Sequence, residues 1–347
     1  MIKIYNITCG TDDKYVQHCM AMLCSLFENN KDKLFSVHIL TNNLSNSYQN
    51  ELTQLALRYN NRIKFYMVDE TPLDGVQFRT NRPLTKAAYY RLLLPSILPD
   101  IHTILYLDCD MIVLGDVDEL FDIDLTGYAL AACNDSMPYN NIHRRQLNLP
   151  VGTRTFCSGI MYINLDYWRE HDSQNKCLNF AKRERKPVFL HDQDVFNYVF
   201  RDQWFLLPPK WNVSPHMKNW IQDVYRPFDY VEMFQSPCVY HYFDSLKPWQ
   251  EQPCLKKSLY REYLVLSGFS SPRFESKTLK DKIHACNKIL YIKYCQIVRP
   301  YMPKFIRIII DDIKCIFELV KLLINSIINP NRNKSKEITY FKVLHQR

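Results

Sequence analysis

The chain has 347 residues, of which 47% are hydrophobic and 14% aromatic. That is enough for one large α/β domain plus an appendage, or for two domains, and it excludes wholesale disorder. Only 7 glycines are present, with no G-x-G-x-x-G and no G-x-x-x-x-G-K-[ST], so a nucleotide here is not expected to rest on a glycine-rich phosphate loop. The net charge of +8 is concentrated in residues 276–347, where 15 Lys and Arg face 5 Asp and Glu; the first 275 residues are at −2, and no nucleic-acid partner is expected.

Residues 2–9 (IKIYNITC) predict a strand, followed by the polar turn GTDDK and a helix over 15–27. Residues 34–41 predict a second strand, 45–59 a second helix and 62–68 a third strand. This alternation predicts a mainly parallel sheet with helices on both faces, whose ligands bind at the carboxyl ends of the strands, where GTDDK lies. Residues 84–98 (LTKAAYYRLLLPSIL) predict a helix disturbed at Pro95. Then come ILYLDCDMIVL (104–114), strands over 128–134 and 156–165, helices over 167–185 and 192–201, and short strands over 204–207 and 238–243.

The expected domain division is 1–268 for the catalytic α/β body and 269–347 for a basic, amphipathic helical tail. Within the tail, Lys304, Arg307, Asp311, Lys314, Glu318, Lys321 and Asn325 mark the polar side of a helix over 304–328, with Ile308, Ile309, Phe317, Leu323 and Ile327 among its apolar positions. Such a helix suits an anionic membrane surface, although packing on the body or an oligomer interface are alternatives. No run of about 18 uncharged apolar residues predicts a membrane span. The N-terminus lacks a basic stretch leading into an apolar one, so secretion is not expected. The 12 cysteines form no C-x-x-C pair and sit mostly in apolar runs, which suggests reduced, buried thiols in a cytoplasmic protein.

The two aspartates of ILYLDCDMIVL set the chemistry. Residues two apart in an extended chain point the same way, so Asp108 and Asp110 are expected to present their carboxylates to one side and Cys109 to the other. Amid apolar flanks, two like charges call for a cation, and oxygen ligands favour Mg²⁺, Mn²⁺ or Ca²⁺; the alternative is a solvated turn. His241 in VYHYF adds a nitrogen as a third ligand, which shifts preference towards Mn²⁺, unless it is a core histidine. Lys247 in KPW suits a phosphate clamp or an ordinary surface lysine.

GTDDKY, LTKAAYYRLLLP, ILYLDCDMIVLGDVDELF, FCSGIMYINLDYW, HDQDVFN, WNV and HYFDSLKPW follow one another over about residues 1–265. In these motifs the chain resembles the retaining glycosyltransferases of family 8, which include glycogenin and bacterial lipopolysaccharide and lipooligosaccharide galactosyl- and glucosyltransferases. The resemblance implies a GT-A fold, a UDP-sugar donor with Mn²⁺ (Mg²⁺ as the alternative), and a saccharide or glycolipid acceptor. It matches Asp108, Asp110 and His241 to metal ligands and Lys247 to a diphosphate contact. Gly10, Asp12 and Tyr15 fall where the family holds the uridine, with Tyr15 against the ring. Arg91 and Asp192 match sugar contacts, Gln193 the residue closest to the reacting carbon, and Asp135 a position near donor and acceptor. Lys14, Cys157 and Asp244 depart from the family pattern, and the last two put the reading of the sugar hydroxyls and the seating of the diphosphate in question. A catalytically degenerate, membrane-docked nucleotide-sugar-binding protein and a metal-dependent phosphohydrolase are the rival readings.

Overall fold

The computed structural model describes residues 3–77, 86–135, 147–150, 153–183, 190–215 and 227–294. The proposed tail helix over 304–328 lies outside the described residues. Division by contacts gives one compact unit, Met1–Leu290, and a second, Tyr291–Arg347.

Strands β1 (Ile4–Gly10), β2 (Leu34–Thr41), β3 (Arg62–Met67), β4 (Thr103–Leu107), β6 (Leu130–Asn134), β7 (Phe156–Asn164) and β8 (Trp204–Leu206) form one sheet in the order β3-β2-β1-β4-β7-β6-β8. Pairing is parallel for β1 with β2 and β4, for β2 with β3 and for β6 with β8; β7 runs antiparallel to both β4 and β6. Strands β5 (Met111–Val113) and β9 (Val239–His241) make a separate antiparallel pair. The mainly parallel sheet expected from the alternating pattern is therefore present, with β7 reversed inside it.

Period-two alternation explains the two-sided core. Along β4, Leu105 and Leu107 enter one hydrophobic cluster while Ile104 and Tyr106 enter the other. Along β7, Ile160 and Tyr162 face the first cluster and Met161 and Ile163 the second. Both faces are covered, so these strands read as continuous apolar runs. Helix α1 (Val16–Glu28) covers the first face and is itself buried from Val16 to Phe27. Trp168 and Phe196 fill the second cluster.

Two elements differ from the sequence reading. The helix expected over 84–98 is a 3-10 helix over Lys86–Leu93 that passes into a short α-helix, Leu94–Ile97, with Pro95 in its first turn, where a missing N–H costs nothing. The extended run expected through ILYLDCDMIVL is broken at residues 108–110, where the chain leaves β4, turns, and enters β5.

The segment after Trp249 is stitched to the body. Gln17 and Arg273 exchange hydrogen bonds (Arg273 N to Gln17 Oε1, 2.8 Å; Gln17 Nε2 to Arg273 O, 2.9 Å), and Glu275 N donates to Trp249 O at 2.9 Å. Phe269 is buried in the α1 cluster.

Candidate functional site

The end of β4 delivers Asp108, whose backbone N–H donates to Gly159 O on β7 at 2.8 Å. The turn then swings Asp110 towards β9. Pairing of β5 with β9 sets Met111 opposite His241, and Tyr242 N donates to Asp110 O at 2.9 Å. One carboxylate oxygen each from Asp108 and Asp110 and a ring nitrogen of His241 consequently lie within 4.8 Å of one another. A turn plus strand pairing brings them together, rather than the alternation of an extended chain. Cys109 does face the other way, with its thiol donating to Gly10 O at 3.2 Å, beside the buried Cys9 and Cys19.

The donor set of two oxygens and one nitrogen suits a divalent cation such as Mn²⁺. A second observation agrees. A Cβ on Gly159 would stand 2.4 Å from His241 Cε1 and 2.9 Å from Asp108 Oδ2, so only glycine leaves the triad its space. His241 is oriented by Asn212, whose Oδ1 lies 2.9 Å from Nδ1; Nε2 then faces Asp110 Oδ1 at 3.2 Å. Lys247 Nζ donates to Asp110 Oδ2 at 2.7 Å and to Tyr242 O at 2.5 Å.

Burial acts to lower the His241 pKa, but the Asp110 carboxylate outweighs it, and with Cys157 also raising it the imidazolium is pushed up to about 10. Burial acts to raise Asp110, but Lys247 and His241 hold it well below the usual carboxylate range. A proton on His241 thus balances the carboxylates in the metal-free protein and competes with a metal. Because the folded-state pKa lies above 6.5, this contribution to stability is complete below about pH 6.5 and is lost as pH rises through about 10. Melting temperatures taken in EDTA from pH 6.5 to 10 are expected to fall more steeply for the native chain than for His241→Gln, and Mn²⁺ is expected to stabilise more at the alkaline end. Equal slopes for the two chains would remove His241 from this role.

Arg91 is the second organising residue. From the 3-10 helix it donates to Asp108 Oδ1 (2.9 Å), Ser158 O (2.7 Å) and Ala88 O (3.0 Å), and Nε lies 3.3 Å from Asp192 Oδ2. Its guanidinium sits 4.1 Å from the Tyr106 ring centroid, and the Tyr106 hydroxyl also reaches Asp108 Oδ1, at 3.0 Å. This fork is buried, not solvated. It ties Asp108 to the helix Asp192–Val199. Burial raises the Asp192 carboxyl to about 6, against the opposing pull of Arg91.

At the start of that helix, His191 occupies the N-cap at φ 56° without a side-chain cap, and Asp194 folds back to accept from Leu190 N at 2.7 Å. The local capping work falls to Asp194, which leaves Asp192 and Gln193 turned to the site. Gln193 Oε1 accepts from Ser158 N (3.1 Å) and its Nε2 donates to Asp135 Oδ2 (2.8 Å). Asp108, Asp110, His241, Lys247, Arg91, Asp192, Gln193 and Asp135 therefore form one connected network.

Gly10, Asp12 and Tyr15 lie at the carboxyl end of β1. Asp12 Oδ1 accepts from Lys14 N and Tyr15 N, both at 2.9 Å, which shapes the turn into α1. Tyr15 is 38% exposed, so its ring retains an open face. Behind it, Trp249 stacks on His18 with ring centroids 3.6 Å apart, and His18 Nδ1 meets the Tyr260 hydroxyl at 2.7 Å. Lys14 is exposed.

Sequence reasoning assigned no role to Asn212, Gly159, Ser158 or Tyr106. The first three lie in the WNV and FCSG motifs, so spacing flagged their neighbourhood. Their partners depend on strand pairing that one sequence does not display.

Residues 6–252 match the family model for glycosyl transferase family 8. General stress protein A of Bacillus subtilis (strain 168) is 29% identical over 255 residues, covering 71% of this chain and 88% of that protein. A lipopolysaccharide 1,2-glucosyltransferase of Escherichia coli is 28% identical over 252 residues, covering 71% of this chain and 74% of its own. Among solved structures, the galactosyltransferase LgtC in complex with donor and acceptor sugar analogues aligns with a TM-score of 0.66 at 22% identity, over 77% of this chain and 96% of that one. That likeness bears on fold alone, and the fold is of the GT-A type.

Proposed function

The chain belongs to glycosyl transferase family 8 and is a hexosyltransferase; from that premise we propose that it transfers galactose or glucose, with retention, from a UDP-sugar to a saccharide of a lipopolysaccharide, lipooligosaccharide or related cell-surface glycan. The observation that supports this reading most is the Asp108–Asp110–His241 triad beside Lys247. When bound there, a divalent cation, Mn²⁺ by the donor set, supplies Lewis-acid neutralisation of the departing diphosphate.

The chain's own residues do the rest. Tyr15 stacks on the uracil, with Gly10 and Asp12 lining the uridine. Lys247 exchanges part of its hold on Asp110 for the diphosphate, where its charge matters most as UDP leaves. Arg91 and Asp192 hold sugar hydroxyls. Gln193 sits under the reacting carbon and is a poor nucleophile, unlike the carboxylate of a retaining hydrolase. The acceptor hydroxyl therefore attacks from the face the diphosphate leaves, and its proton passes to the departing phosphate oxygen. Asp135 orients Gln193 and the acceptor.

A panel of UDP-sugars assayed for UDP release with Mn²⁺ tests this directly. One hexose donor is expected to give slow release alone and fast release with a saccharide acceptor. Acceptor-independent release would favour a phosphohydrolase, and binding without release would favour a non-catalytic binding protein.

We infer that the tail docks on an anionic membrane surface, at the cytoplasmic face where glycolipid acceptors sit. Among the described residues no helix is long and apolar enough to cross a membrane. Lys304, Arg307, Lys314 and Lys321 each contribute about 1 kcal/mol near an anionic surface, while the isoleucines and leucines between them bury apolar area, so binding is expected to weaken in high salt without vanishing. A chain shortened to residues 1–290 is expected to lose binding to anionic vesicles yet keep activity on a short soluble acceptor. Undiminished vesicle binding by the shortened chain would exclude residues 291–347 as the anchor.

A further inference from the structure

Three cysteines that the proposed reaction does not use meet behind the turn that carries Asp108 and Asp110. Cys9 lies on β1, Cys19 in the first turn of α1, and Cys109 in the middle of the turn between β4 and β5. One sulfur from each lies within 4.8 Å of the others, and Cys9 Sγ stands 3.6 Å from Cys19 Sγ. Their residue exposures are 0%, 0% and 5%, and all three belong to the cluster that α1 covers.

Packing alone asks for less than this. A buried thiol behaves as a small hydrophobe, and a single one at a helix–sheet contact is ordinary. Three sulfurs this close, brought from segments distant in the chain, form a donor set. Among the described residues, only this group and the Asp108–Asp110–His241 triad bring three His, Cys, Asp or Glu side chains so near one another. Thiolates bound to one metal at about 2.3 Å stand about 3.8–4.0 Å apart. The 3.6 Å edge is already close to that, and no edge exceeds 4.8 Å.

The donors also set the class of cation. The group holds no carboxylate, which disfavours Mg²⁺ and Mn²⁺, whereas sulfur selects soft ions. Each thiol gives up its proton to solvent as its sulfur binds. Three thiolates leave one net negative charge around a divalent ion but two around Cu⁺, so burial favours the divalent ion.

We propose that Cys9, Cys19 and Cys109 form a second metal site, for a thiophilic divalent cation of the Zn²⁺ and Cd²⁺ class, on the reverse side of the Asp108–Asp110 turn. Hard and soft cations are thereby sorted to opposite sides of three consecutive residues. The carboxylates of Asp108 and Asp110 join His241 on one side, and the Cys109 thiol joins Cys9 and Cys19 on the other. The site does not depend on the UDP-sugar reading.

The test is Cd²⁺ binding to the reduced, full-length protein saturated with Mn²⁺. It is followed by the sulfur-to-cadmium charge-transfer absorption, which carboxylate and imidazole ligands do not give. Because the thiols are buried, Cd²⁺ is added both by titration and during refolding. One tightly held equivalent, displaced by excess Zn²⁺, is expected. Cys9→Ser and Cys19→Ser are each expected to lower the absorption of that equivalent by about a third and to weaken Cd²⁺ at least about tenfold, since even loss of an outer partner costs a metal site that much. Cys286→Ser, at an exposed thiol, is expected to change neither. Absence of the charge-transfer band in both preparations would overturn the inference. So would a band that persists unchanged in Cys19→Ser, because the cation would then sit on other thiols. Should the serine variants fold poorly, Cys9→Ala and Cys19→Ala, which bury no hydroxyl, give the same comparison.

Discussion

Asp110→Asn is expected to abolish Mn²⁺-dependent UDP binding and to lower transfer by at least about 10²–10³-fold, with the fold retained. Asparagine keeps the volume and an oxygen for His241, but it removes the charge that pairs Lys247 at 2.7 Å and sustains the His241 imidazolium. Breaking a buried pair of this kind costs about 3–5 kcal/mol, so a lower melting temperature is expected alongside a native circular dichroism spectrum. Asp108→Ala is expected to be equally inactive, because Arg91 and the Tyr106 hydroxyl both hold Asp108 Oδ1 and would be left without that partner. Full transfer in EDTA, or in either variant, would sink the metal reading.

Gln193→Ala is expected to behave differently: activity falls by about 10–10²-fold but remains measurable, since front-face attack requires no covalent bond to this residue. The loss would reflect two hydrogen bonds, from Ser158 N and to Asp135 Oδ2, that fix the Gln193 side chain. Gln193→Glu would set a carboxylate against that of Asp135, so one of the two is expected to take up a proton. It is not expected to accumulate a glycosyl-enzyme as an obligatory step. Mass spectrometry of the native enzyme during turnover is the check. A sugar ester on Asp192 or Asp135, formed and broken at the catalytic rate, would replace front-face attack with double displacement.

Much of the fold was legible because the strands advertise themselves. Residues 34–41 read as a strand and form β2 over Leu34–Thr41, since their apolar residues serve two buried faces. The 3-10 helix Lys86–Leu93 was read as an ordinary helix, because in eight residues a period of 3.0 and one of 3.6 mark nearly the same positions. The reversal of β7 was not legible. Its apolar run packs equally well in either direction, and only its pairing with β4 and β6 sets the sense.

The candidate site divides along the same line. By itself the sequence determined the chemical kinds: two carboxylates bracketing Cys109, an imidazole, a lysine and a glutamine. It also determined local geometry such as the Asp12 turn, because those partners lie within three residues of one another. Only the tertiary structure decided which charge meets which. The β5–β9 pairing sets His241 against Asp110, the 3-10 helix sends Arg91 between Asp108 and Asp192, and the helix Leu279–Lys293 sets Lys288 against Asp244. The physical reason is that residue type carries the sign of a charge, whereas the interaction depends on separation and on burial, and both are set by contacts between segments distant in the chain.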